Sequence, residues 1–281
     1  MPRAIDVHVH PPTAEYLAGS GGPYFANAFG VAEREEPIGR MVETFRAAGV
    51  EHAVLLAWDA RTASAQPATT NEFVQGVVEA YGDFFLGFGS VDPWQGQAAL
   101  AEAARFRGHY GFAGAKFHPV AQGFSPADPR FFPMWDLLQE QDLVVLVHAG
   151  HTGFGAGLAG GGGLRLAHAR PFPDIEVLAS TFPRLRIICA HPGWPWHDDL
   201  LALAMHKSNI WIDLSGWSPK YLPPSTVQHA RSLLQDKVLF GTDYPVIGPQ
   251  RWMDDFLALG IKEAVVDKVL YRNAAQLLGI E

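Results

Sequence analysis

Leu143-Val-Val-Leu-Val-His148-Ala-Gly150 is the stretch on which the fold turns. Five apolar residues run without a polar interruption and end on a histidine. A strand with one wet face alternates apolar and polar residues. An unbroken run of this length suits a parallel strand buried on both faces. Upstream, residues 132–140 have helical spacing; downstream, 175–181 do, and Leu185-Arg-Ile-Ile-Cys-Ala190 then repeats the strand pattern. The couplet recurs along the chain. Strands are expected at 4–8, 52–57, 84–91, 114–118, 210–214 and 238–243, and helices at 39–48, 71–81, 97–106, 197–207, 225–234 and 251–278. Regular β-then-α alternation implies a parallel α/β sheet. Eight units select a closed barrel over an open sheet, so a (β/α)8 TIM barrel is expected. Residues 1–281 are read as a single domain with extended mouth loops, since such barrels commonly take about 250 residues. The long connections are 11–37, after the first strand, and 149–173, after the fifth, which contains Gly160-Gly-Gly-Gly163. Both are expected at the C-terminal mouth, covering or shaping a site.

The composition is that of a globular protein, 48% hydrophobic and 18% charged. A net charge of -8, with no cluster of Lys and Arg, argues against a nucleic-acid partner. Cys189 is the only cysteine, so no intrachain disulfide can form; it is read as a small buried hydrophobe. That fits a reducing compartment. No apolar stretch approaches the ~20 residues of a membrane span. No apolar segment of a signal peptide stands at the N-terminus. A cytoplasmic location is expected.

The chemistry sits at the strand ends. In Asp6-Val-His8-Val-His10, strand alternation places both imidazoles on one face, with Asp6 sharing their parity. The fifth strand ends in His148, the sixth in Ala190-His191-Pro-Gly, and the eighth in Gly241-Thr-Asp243-Tyr-Pro. Five metal-competent groups thus close apolar strands at one end of one barrel. A lone histidine after an apolar run is more often a hydrogen-bonded structural residue, but five such groups together point to a metal site. Neutral imidazoles and a carboxylate leave a divalent cation net positive, able to acidify water and polarise a carbonyl. Gly153-Phe-Gly-Ala-Gly157 lacks the spacing and placement of a dinucleotide loop. Ser215 lacks the pattern around a nucleophilic serine.

Together, Asp-x-His-x-His after strand one, His-x-Gly after strand five, Ala-His-Pro-Gly after strand six and Gly-Thr-Asp-x-Pro after strand eight resemble the amidohydrolase superfamily. The closest branch is the amidohydrolase-related group, which includes aminocarboxymuconate-semialdehyde decarboxylase, γ-resorcylate decarboxylase and several lactonases. The resemblance runs from Asp6 to the C-terminal helix. It implies that His8, His10, His148 and Asp243 ligate one divalent metal ion, with zinc favoured and manganese, iron or cobalt also suited to such donors. It implies that His191 and Asp243 are catalytic, His191 as an acid/base, or as a ligand should the site hold two metals. Binuclear members often use a carboxylated lysine after strand four, where Lys116 stands; the branch is mostly mononuclear, so Lys116 is read as a substrate or structural group. His118 shares its parity. Arg165 and Arg170 are candidate carboxylate contacts. Trp194 and Trp217 are candidate pocket walls. The implied activity is non-oxidative decarboxylation of a small unsaturated or aromatic carboxylate; the alternative is hydrolysis of a lactone, ester or amide, and a third reading is a barrel that binds without turnover. The expected partner is a small anionic substrate, and a homodimer is the assembly suggested.

Overall fold

A computed structural model describes residues 2–19 and 35–280. Eight strands form one parallel sheet in the order of the chain. They are β1 (Ala4–Val9), β2 (Val50–Leu56), β3 (Phe85–Gly89), β4 (Gly114–Phe117), β5 (Val144–His148), β6 (Arg186–Ala190), β7 (Ile210–Asp213) and β8 (Val238–Leu239). The sheet returns on itself. Val7 N–H donates to Phe240 O, Asp243 N–H to His8 O, and His10 N–H to Tyr244 O. Because β8 has only two residues, this seam is made largely by the chain that follows it.

The run in β5 is buried at every position. Val144 and Leu146 enter an inner cluster with Val54, Phe88 and Ile188, while Val145 and Val147 pack outward against the helices. His148 shares the inward parity of Val144 and Leu146 but stands one step higher. In register, Leu146 pairs with Lys116 and Ile188, and His148 with Ala190. The apolar layer therefore fills the lower barrel and the polar strand ends stand above it.

The shared parity of Asp6 with His8 and His10 is corrected by a register shift in β1. Asp6 pairs with Ala53 and Val9 with Leu55, so three steps of β1 oppose two of β2. Such a bulge re-aims the side chains that follow it. Ile5 and Val7 join the inner cluster, and His8 and His10 nonetheless reach the cavity.

The helices follow the apolar spacing. Ile38–Ala47 buries Met41, Val42 and Phe45. Asn71–Ala80 is capped by Thr70, whose side chain accepts from Phe73 N–H at 3.1 Å. The helical pattern expected over 251–278 is divided into Pro249–Leu257, Glu263–Asp267 and Asn273–Leu278. Gly260, at φ 66°, lies in the first break and the wide turn Lys268–Arg272 in the second. Among the described residues, no helix is long and apolar enough to cross a membrane.

Candidate metal centre

Four strand ends build the centre. Asp6 sets β1 against the segment after β8: its carboxylate accepts His8 N–H at 3.0 Å, Thr242 N–H at 3.1 Å and Thr242 Oγ1–H at 2.6 Å. Burial pushes its carboxyl up to about 8, against the pull of those donors. Two residues on, His8 presents Nδ1 to Asp213 Oδ2 at 3.1 Å and Nε2 to Asp243 Oδ1 at 3.2 Å. His10 Nε2 is 3.5 Å from the same Asp243 oxygen. His10 stacks on Tyr16, with ring centroids 4.5 Å apart. The backbones of His191 and Asp243 are left-handed, with φ of 70° and 60°. Aspartate and histidine are among the few non-glycine residues that adopt this conformation readily.

Asp213, fully buried at the end of β7, fixes much of this arrangement. Its Oδ1 accepts His191 N–H at 3.1 Å and Ser215 N–H at 2.9 Å, leaving Oδ2 for His8. Burial alone would raise its carboxyl; His8, His191 and Ser215 instead hold it well below the usual carboxylate range. Burial likewise opposes ionisation of Asp243, and His8, His10 and His191 overcome it. The imidazoles move the other way. Burial pushes His10 down to about 3, His148 and His118 far below the ordinary histidine value, and His191 below it. Neutral imidazole beside ionised carboxylate is the form in which these groups ligate metal.

The donor set fits a divalent cation. With its proton on Nδ1 facing Asp213, His8 points the Nε2 lone pair at an Asp243 oxygen, and His10 Nε2 converges on that oxygen too. The His8 Nε2 lone pair and the ionised Asp243 oxygen, 3.2 Å apart and buried, are favourable together only beside positive charge. Lys116 Nζ stands at this point, 3.1 Å from His8 Nε2, and burial lowers its ammonium to about 8 despite Asp243 and Asp213. His8, His10 and Asp243 bring a ligand atom each within 4.8 Å of one another, as do His8, His191 and Asp213.

His148 stands beside the first trio rather than in it. Its ring is stacked 3.8 Å from His118 and lies 4.7 Å from His191. Its Nε2 is 3.2 Å from the His151 carbonyl. A carbonyl only accepts, so Nε2 carries the proton and Nδ1 keeps the lone pair. His191 is held similarly, Nδ1 lying 3.0 Å from the Ser215 carbonyl and 3.0 Å from Ser215 Oγ. Its Nε2 is thereby left to take and give a proton.

Above the cluster is a cavity of about 310 Å³, lined by all five strand-end groups together with Lys116, His118 and Trp217. His118 is already engaged: Ala121 N–H donates to its Nδ1 at 3.1 Å, so its Nε2–H faces Thr152 Oγ1 at 3.2 Å. The connection 149–173 does reach the mouth, where Phe154 stacks on Trp58 at 5.3 Å. Of the other long connection, residues 20–34 lie outside the described residues. Three candidate substrate contacts are elsewhere. Arg165 lines a separate hollow with Trp94 and Arg130, Arg170 lies over Trp196 at 5.4 Å, and Trp194 is 44% exposed on the rim, 6.3 Å from Trp217. Sequence reasoning passed over Asp213, Trp58 and Arg251, and considered Ser215 only as a nucleophile, a role it set aside. An acid closing the apolar run Ile210–Asp213 was the readable signal for Asp213; nothing local marks the other three.

The sequence profile described as Amidohydrolase matches residues 5–280. The chain belongs to the amidohydrolase family. No curated protein matches the sequence of this amidohydrolase. Among solved structures it is similar to an uncharacterised TIM-barrel protein from Bordetella bronchiseptica, at 24% identity and TM-score 0.81, covering 99% of this chain and 98% of the other. It is also similar to a dihydroxybenzoic acid decarboxylase from a Polaromonas species, solved with manganese and the inhibitor 2-nitroresorcinol, at 20% identity and TM-score 0.71, covering 100% and 98%. A third likeness is to a probable 2-pyrone-4,6-dicarboxylic acid hydrolase from Acinetobacter baumannii with citric acid bound, at 16% identity and TM-score 0.64, covering 99% and 100%. At these identities the likenesses establish the shared barrel.

Proposed function

We propose that this amidohydrolase is a metal-dependent, non-oxidative decarboxylase of a small unsaturated or aromatic carboxylate. The observation that carries the reading is the pairing of a neutral histidine, free at Nε2, with a cavity walled by Trp58, Phe154 and Trp217 above the donor cluster. His8, His10, His148 and Asp243 would hold the cation, zinc being the first choice for three imidazoles and a carboxylate. When bound, the cation supplies positive charge that draws the substrate's oxygens and stabilises negative charge developing beside them. Asp213 keeps the His8 proton on Nδ1, so that Nε2 faces inward. The aromatic walls hold a flat substrate and exclude water. Lys116, buried beside His8, meets an anionic oxygen. His191 takes up a proton at Nε2 and passes it to the carbon that bears the carboxyl group. The C–C bond breaks, its electron pair stays on that carbon, the proton joins it, and CO2 leaves.

The second reading, hydrolysis of a lactone, ester or amide, is favoured by the likeness to a probable hydrolase on the same barrel. Zinc- or manganese-loaded protein should be assayed against a panel of aromatic and unsaturated carboxylates, lactones and esters. Release of CO2 with the protonated product supports decarboxylation. Release of acid without CO2 selects hydrolysis, and neither product overturns both readings. His191→Asn should lower turnover about 10²–10⁴-fold with metal content retained, whereas His148→Asn should lose metal and activity together.

A further inference from the structure

Among the described residues, Arg251 is the one guanidinium that lines the cavity, and no carboxylate lies within ion-pair distance of it. Eight of the described arginines lie within 4.0 Å of a carboxylate. Arg3 and Arg170 lie over the rings of Tyr271 and Trp196. Of the remaining described arginines, Arg107, Arg165, Arg231 and Arg251, only Arg251 lines the cavity above the metal centre. It stands in the first turn of the helix Pro249–Leu257. The acids on that helix are engaged elsewhere: Asp255 accepts from Ser218 Oγ at 2.6 Å and Asp254 from Gln250 Nε2 at 2.8 Å. Ser218 thus pins the β7 connection, with Trp217, against the helix that carries Arg251.

The ordinary reading of a free surface arginine is solvation. Its placement argues otherwise. Arg251 is exposed whereas the donor cluster is buried, so it marks the mouth end of a cavity whose floor holds the strand-end groups. The same cavity is lined by Trp58, Phe154, Val246 and Ile247. The other side-chain cation in the lining besides the histidines, Lys116, is buried beside His8 in the donor cluster, where the reacting end of the substrate is placed. A guanidinium beside low-dielectric walls attracts an anion more strongly than one in open water, and its planar fork suits a carboxylate.

We propose that Arg251 determines specificity by binding a second anionic group of the substrate, remote from the reacting carboxylate. The inference rests on the reading of the cavity as a carboxylate site and narrows the substrate to a flat, apolar-bodied molecule with acidic groups at two ends. Titration calorimetry on the zinc-loaded protein tests it, with benzoate and benzene-1,3-dicarboxylate as probes. The dicarboxylate should bind about tenfold or more tightly than benzoate. Arg251→Gln should bring the two affinities within about twofold of each other with benzoate unchanged, and Arg251→Lys should keep part of the preference. Added salt should weaken the dicarboxylate more than benzoate. The variant removes an exposed side chain, and an unaltered melting temperature will show that it folds. A preference that persists in Arg251→Gln overturns the proposal. So does wild-type protein that binds neither acid, or both equally. These affinities need no turnover, so failure of the decarboxylase reading shows separately, as the absence of CO2 in the substrate panel.

Discussion

Asp213 illustrates how one carboxylate can orient the groups around it. It receives two backbone N–H groups on one oxygen and His8 Nδ1 on the other. Partners of this kind typically alter metal affinity about 10–100-fold. Asp213→Asn should weaken zinc binding by that factor, as read by competition with a chelating dye, while a donor variant such as His10→Asn loses far more. Gly216 is constrained by space as well as by its φ of 71°. A Cβ there would lie 2.9 Å from His191 Nδ1 and 3.1 Å from Asp243 Oδ2. Gly216→Ala should destabilise the protein by about 1–3 kcal/mol, measured by denaturant unfolding, and should lower turnover by displacing His191. His8 and His10 could be read because they alternate along the first strand, and His148 and His191 because each closes an apolar run. Asp213 carries that signal in weaker form. Ser215 and Trp58 carry none, because their roles come from contacts across the barrel: Ser215 Oγ lies 2.9 Å from His8 Nδ1, which is 207 positions away.

Among the elements, the seam between β1 and the chain after β8 joins backbone and side-chain bonds. Asp6 adds to the three backbone bonds two from Thr242 across the seam, and accepts a further one from His8 N–H within β1. Asp6→Ala should cost about 3–5 kcal/mol, since three buried donors lose their acceptor; the shift of a urea midpoint at unchanged slope checks it. Asp6→Asn keeps one acceptor oxygen and should cost less. The strands and their order were legible because two-sided burial writes itself as unbroken apolar runs. Their ends were less so. β8 was expected to reach Asp243 but stops at Leu239, although the chain beyond it still bonds to β1 through Phe240, Asp243 and Tyr244. The bulge in β1 left no mark, since Ile5 and Val7 look the same in either register. The connection 149–173 was legible as a mouth loop from its length and place. Its attachment was not, because it depends on His118 and His148 contacting Thr152 and the His151 carbonyl.

At the scale of the whole molecule, strands distant in sequence contribute to one donor set, so metal loading should be linked to global stability. Zinc at 100 to 1,000 times its dissociation constant would add about 2.7–4.1 kcal/mol. Calorimetric melting should therefore show one transition that rises by roughly 5–15 °C on loading, and falls back with a chelator; an unshifted transition would separate the centre from the fold. The left-handed backbone at His191 and Asp243 has a consequence of another kind. In a saturation library of the entire chain, scored separately for abundance and for activity, these two positions should stand apart. At His8, on the extended backbone of β1, abundance should follow side-chain size and polarity. At His191 and Asp243 it should also follow conformational tolerance. Asn and Gly should persist there as abundant, inactive proteins, while Val, Ile and Thr should be depleted before activity is ever tested. The readiest routes for remodelling the ligand set by mutation thus run through β1 and not through the turns after β6 and β8.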